Sequence, residues 1–254
     1  MKSLNIIQTS SPNFDQRREG QKPEMLIIHY TGMADNQEAI KRLCDPDSVV
    51  STHYVIDDTG KCLQLVDENN RAWHAGVSSW AGNNDINSCS IGVELCNPGH
   101  EHGYKCFPEK QMATLLRLGR DILARHSILP RLVLGHSDVA PTRKLDPGEF
   151  FDWRRLANHG MGMWPDRTAG ADKHEIQATN CDADDRDVSL LQGKLARFGY
   201  GIEITGGHDE QTALVVMAFQ RHFRQNRITG VLDTESEFIL DNLLVQLGYQ
   251  DACL

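Results

Sequence analysis

"MLIIHY", residues 25–30, places four apolar side chains in a row before a histidine and a tyrosine. The run does not alternate between apolar and polar, so it reads as a strand buried on both faces, the kind that lies inside a sheet with helices on each side. Working outward, residues 36–43 look helical. Residues 53–56 and 62–66 are two short strands joined by Asp57-Asp58-Thr59-Gly60, a hairpin signal. Residues 90–95, SIGVEL, form another strand, and 132–134 a further one. Between them 108–126 is a long amphipathic helix, with Met112, Leu115, Leu116, Gly119 and Leu123 on its inner face and Pro108 suited to its first turn. Strands interleaved with helices predict an α/β domain over residues 1–165.

Residues 166–187 change character. They are rich in Asp, Ala, Gly and Thr, hold a single Ile and show no periodicity, which predicts a linker. Three helical patterns follow, at 188–198, 210–223 and 235–247, separated by turns containing glycine. They predict a small three-helix domain over 188–254.

With 40% hydrophobic and 24% charged residues the composition is that of a soluble globular protein. A net charge of −9 argues against nucleic-acid binding, which favours a basic surface. No apolar run approaches the roughly 20 residues that cross a bilayer, and the first twenty residues lack the apolar core of a secretion signal. The seven cysteines are odd in number and contain no CxxC pair, which suggests neither a disulfide framework nor a thiolate metal cage and leans towards a reducing compartment.

A second stretch, GHSDVAPTRKLDPGEFFDW at 135–153, crowds a histidine, aspartates and a lysine into a loop stiffened by Pro141 and Pro147. It is either a polar turn or a metal-holding loop. Catalytic zinc takes three protein ligands from His and carboxylate and leaves a fourth position open. His29 closes a buried strand, His136 follows another, and Asp146 lies ten residues beyond it. Taken singly, His29 reads as a satisfied core histidine before a ligand, and Asp146 as a turn residue, because Asp-Pro-Gly favours turns without any metal.

Four blocks occur in order: His29-Tyr30-Thr31, Ala72-Trp73-His74-Ala75-Gly76, Ser90-Ile91-Gly92-Val93-Glu94-Leu95, and Gly135-His136-Ser137-Asp138 continuing to Arg143-Lys144-Leu145-Asp146-Pro147-Gly148. Together, over residues 26–153, they resemble the zinc-dependent N-acetylmuramoyl-L-alanine amidases of bacteria, whose fold is shared with peptidoglycan recognition proteins. The resemblance implies a mixed central sheet flanked by helices, with one Zn2+ held by His29, His136 and Asp146. It implies Glu94 as general base for the attacking water and Lys144 as the second catalytic residue. By strand parity Glu94 shares a face with Ser90 and Gly92, and Gly92 leaves room for a substrate. Asp138 and Arg143 belong to the same block with structural roles expected. His74 is expected against substrate or zinc-bound water, or as packing, and Asn84, Asp85 and Asn87 as contacts at the edge of the cleft. In one departure, Thr52 stands where some phage relatives carry a catalytic tyrosine, just before the position of His53. His100, His102, His126 and His159 fall outside every block and read as solvated or capping residues.

Residues 188–247 resemble the three-helix peptidoglycan-binding module that is fused to many wall hydrolases, which makes peptidoglycan or muropeptides the expected partner. The alternatives for this module are packing against the catalytic domain and oligomer formation. For the whole chain the expected reaction is cleavage of the amide between N-acetylmuramoyl, or its 1,6-anhydro form, and L-alanine. A non-catalytic peptidoglycan recognition protein is one rival; it commonly lacks a metal ligand, whereas all three are present here. A zinc peptidase acting within the stem peptide is the other. The thiols favour the bacterial cytoplasm, and the binding module favours the periplasm or cell envelope.

Overall fold

The computed structural model describes residues 4–18, 20–166 and 187–249. Six strands form the main sheet: β1 (Ile6–Gln8), β3 (Met25–Tyr30), β4 (Tyr54–Ile56), β5 (Cys62–Gln64), β7 (Ser90–Leu95) and β8 (Val133–Gly135). Two more, β2 (Phe14–Gln16) and β6 (Asn70–Ala72), make a separate antiparallel pair. The sheet order is β1-β5-β4-β7-β3-β8. β4, β7, β3 and β8 run parallel, β5 is antiparallel to β4, and β1 is parallel to β5, so the sheet is mixed. The expected α/β class therefore holds.

β3 lies between β7 and β8, which explains its unbroken apolar run. Leu26 and Ile28 enter one apolar layer together with Ile91, Val93 and Leu95 of β7. Met25 and Ile27 enter the layer on the opposite face. His29 continues the Met25–Ile27 parity, and its register partner is Glu94. Both side chains thus emerge on one face at the same end of the sheet.

Helix α1 (Asn36–Cys44) begins where the Asp35 carboxylate accepts from the amides of Gln37 and Glu38. The long helix α3 (Glu109–His126) covers the Leu26–Ile28 face with Met112, Leu115, Leu116, Leu118 and Ile122. Pro108 precedes the first helical residue instead of lying within the first turn. Three short helices, α2 (Ile86–Cys89), α4 (His136–Val139) and α5 (Trp153–Asn158), complete this part.

Helices α6 (Val188–Phe198), α7 (Glu210–Phe223) and α8 (Thr234–Gln246) fall close to the predicted spans. Each opens on an aspartate cap, Asp187, Asp209 and Asp233, whose carboxylate accepts an amide of the first turn. They do not stand apart from the sheet. One apolar cluster runs from Met25, Ile27, Leu134 and Val139 through Trp80 into Leu195, Phe198, Val216, Phe219 and Leu240. The linker expected at 166–187 lies outside the described residues, save for Asp166 and Asp187.

Candidate metal centre and catalytic cleft

The ends of β3 and β8, together with the loop after α4, bring His29, His136 and Asp146 together, all buried. Nδ1 of His29 lies 2.9 Å from Nδ1 of His136, and each is 3.1 Å from Oδ2 of Asp146. The other hydrogen-bond partners assign the tautomers. The Ser90 hydroxyl donates to the carbonyl of Ile86 at 2.6 Å, so it accepts from Nε2 of His74 at 3.2 Å. Nδ1 of His74 is then an acceptor and takes the proton of His29 Nε2 at 3.1 Å. Nε2 of His136 donates to the carbonyl of Ala75 at 3.0 Å. Both Nδ1 atoms therefore carry lone pairs, aimed at each other and at a carboxylate.

Three lone-pair donors facing one point repel unless a cation lies among them. Ligands about 2.0–2.1 Å from a tetrahedral ion lie roughly 3.3 Å apart, close to the separations observed. The cluster could hold a metal ion. Burial, and then the neighbouring His136, pushes His29 down to about 4, the neutral form a ligand requires. Burial alone would raise Asp146, but a positive charge at His136 or His29 lowers it well below the usual carboxylate range.

A cavity of about 410 Å³ opens on this cluster, lined among others by Trp73, His74, Glu94, His136, Lys144 and Asp146. Burial pushes the Glu94 carboxyl up to about 8, the Asp146 charge adding to the effect and Lys144 opposing it. Its Oε2 is buried without a hydrogen-bond partner, so a carboxyl oxygen stands unengaged beside the cluster.

Residues 19–149 match the N-acetylmuramoyl-L-alanine amidase family, and residues 184–236 match a putative peptidoglycan binding domain. The chain is 36% identical to N-acetylmuramoyl-L-alanine amidase AmiD of Escherichia coli, with 96% of this chain and 91% of AmiD covered. The chain belongs to the N-acetylmuramoyl-L-alanine amidase family. A structure of E. coli AmiD with the substrate anhydro-N-acetylmuramic acid-L-Ala-D-gamma-Glu-L-Lys superposes with a TM-score of 0.78 at 35% identity, covering 92% of this chain and 94% of AmiD. AmpDh3 of Pseudomonas aeruginosa, in complex with an anhydromuramic pentapeptide, gives 0.77 at 31% identity over 91% and 94%.

Within this amidase, the residues around the cleft depart from the sequence reading in informative ways. The space left by Gly92 is not open to substrate. The His74 imidazole fills it, and a Cβ at 92 would lie 2.6 Å from His74 Cγ. The amide of Gly92 donates to Nδ1 of His53 at 3.0 Å. Both nitrogens of His74 are engaged, so it lines the cavity as a support for His29 more than as a free contact. The carbonyl oxygen of the Asn87 side chain accepts from the amides of His74 and Ala75 at 3.1 and 2.8 Å. It shapes the Trp73–Gly76 block from behind and does not reach the cleft. Asn84 is exposed and lies outside the cavity lining.

Sequence reasoning missed His100, which lines the cavity between the Tyr30 hydroxyl at 2.8 Å and Glu149 at 3.0 Å. His126 pairs with Glu68, and His159 meets the carbonyl of Arg155. Arg143 donates to the carbonyls of Ala75 and Val77, a structural role of the expected kind. Among the described residues Cys44, Cys62, Cys89, Cys96 and Cys106 are free thiols, and no helix is long and apolar enough to cross a membrane.

Proposed function

We propose that residues 1–165 form the catalytic unit of a zinc amidase that cleaves the bond between the lactyl carboxyl of N-acetylmuramic acid and L-alanine. Residues 188–254 are the peptidoglycan-binding-like unit, joined through 166–187. His29 and His136, through Nδ1, and Asp146, through Oδ2, would hold one Zn2+. When bound, zinc supplies a Lewis acid that polarises the scissile carbonyl and acidifies water. Glu94 takes the proton of the attacking water and returns it to the leaving amine of L-alanine. Lys144 lines the cavity, and its ammonium stabilises the developing oxyanion. The observation that carries this reading is the convergence of three lone pairs next to the unpartnered Glu94 oxygen. The complexes of AmiD and AmpDh3 with anhydromuramyl peptides support the same substrate class here.

The support given to His29 has a measurable consequence. Replacing His74 with leucine removes the acceptor that orders the His29 tautomer, and zinc affinity is expected to fall about 10–100-fold. Titration of the metal-free protein against a chromophoric chelator measures this, and an unchanged affinity would remove His74 from the metal's support.

Substrate form and compartment are tested together. Zinc-loaded protein is incubated with intact sacculi and with purified anhydromuramyl peptide, each with and without chelator, and products are read by mass spectrometry. Stem peptide beginning at L-alanine is expected from the anhydromuramyl peptide only without chelator. No cleavage of either substrate would return the chain to a non-catalytic recognition role. The free thiols favour the bacterial cytoplasm, the wall-binding-like unit favours the envelope, and release from sacculi together with recovery in an envelope fraction would decide for the latter.

A further inference from the structure

Asp138 lies in α4, just before the loop that carries Lys144 and Asp146 and two residues after His136, and is 1% exposed. Its Oδ2 accepts from the amide of Gly135 at 2.7 Å, which closes the strand-to-helix turn that presents His136. Its two other partners come from the C-terminal unit. The Tyr200 hydroxyl donates to Oδ1 at 2.7 Å, and Nδ1 of His222 meets Oδ2 at 2.7 Å. The His222 ring stacks on Trp153 at 3.8 Å and against Phe223 at 3.9 Å. Tyr200 packs edge-on against Trp80, and the amide of Ala81 donates to the carbonyl of Gly199 at 2.7 Å. Further along the same loop, Arg221 faces Glu149 at 3.7 Å and Gln225 donates to the carbonyl of Phe151.

We infer that the C-terminal three-helix unit is a structural part of the metal centre: Tyr200 and His222 are positioning residues that, through Asp138, set the turn bearing His136. A module joined only to raise the local concentration of wall substrate would act through its tether and would leave the metal site indifferent to these two side chains. Here a carboxylate buried next to a proposed ligand has its side-chain partners on the other unit, and a buried acceptor that loses donors must be resolvated or must move. Movement of Asp138 releases the Gly135 amide and with it the orientation of His136. This inference rests on the proposed ligand role of His136.

The test uses the full chain carrying Tyr200→Phe or His222→Phe, which remove one polar contact each and keep the aromatic packing. Zinc affinity by chelator competition is expected to fall about tenfold in each, the low end for partners outside the ligand sphere. With soluble anhydromuramyl peptide, kcat falls while KM stays. His222→Gln, whose amide can donate in place of Nδ1, restores affinity to within about twofold. Lys194→Met, which breaks the pairing of Lys194 with Glu237 and Asp241 elsewhere in the same unit, lowers the melting temperature without changing zinc affinity. If both phenylalanine variants bind zinc as tightly as the parent, the inference is overturned; if the parent itself binds none, the ligand assignment fails instead. Should His222→Phe not fold, Tyr200→Phe carries the test alone, since it removes a single oxygen atom.

Discussion

Glu94→Gln is expected to lower kcat by about 10²–10⁴-fold while the protein keeps its metal. The amide preserves the shape of the side chain on β7, in register with His29, but cannot accept the water proton. The same burial that leaves Oε2 unpartnered pushes this carboxyl up to about 8 in the metal-free protein. A bound cation counteracts that rise, so the rising limb of kcat/KM in the loaded enzyme falls below pH 8. Stability responds in a definite direction. The folded-state value lies above the ordinary one of 4.5, so the folded metal-free protein holds more protons than the unfolded chain between these limits. Its stability therefore falls as pH rises from about 4.5 to 8, by on the order of 3 kcal/mol near neutrality. Glu94→Gln escapes this loss. It raises the melting temperature of the metal-free protein by several degrees at pH 8 and by much less at pH 5. Equal shifts at the two pH values would show that Glu94 is not buried as described.

The second large effect concerns the proposed ligands. Asp146→Ala leaves the Nδ1 atoms of His29 and His136 facing each other at 2.9 Å with no anion beside them. Zinc is expected to be lost on dialysis. With the Lewis acid goes several kcal/mol of transition-state stabilisation, a fall in kcat of about 10³-fold or more. Chelator treatment of the parent reproduces the loss, and added zinc restores the parent but not the variant. Metal analysis read beside the rate separates this outcome from a folding defect, and a variant that retains one zinc per chain would remove Asp146 from the ligand set.

Much of the site was legible because it follows from parity and from short-range spacing. The non-alternating run at 25–30 places His29 at a strand end, and parity along 90–95 turns Glu94 to the same face. His136 and Asp146 belong to one loop closed on itself by the Ser137 amide on the Asp146 carbonyl. The long helix α3 shows its apolar face over five turns, so its period is unmistakable. By contrast β1, β2 and β6, no longer than β4, β5 and β8, lie largely exposed or half-buried, so no buried apolar run marks them. His74 was ambiguous because its role depends on Ser90 and Ile86, which approach it only when α2 leads into β7. Asn87 faces the backbone behind the cleft, a direction that neither composition nor spacing encodes. Tyr200 and His222 reach Asp138 across 62 and 84 residues of chain, and each looks like ordinary core of its own helical unit.

Which bond is cut is decided by running the reaction with an anhydromuramyl peptide in water enriched in ¹⁸O and locating the label by tandem mass spectrometry. One ¹⁸O is expected in the lactyl carboxylate of the muramic acid, with a new free amine on L-alanine. Label in a carboxylate of the stem peptide, with the muramoyl–alanine bond intact, would contradict the proposed reaction and make the protein a peptidase.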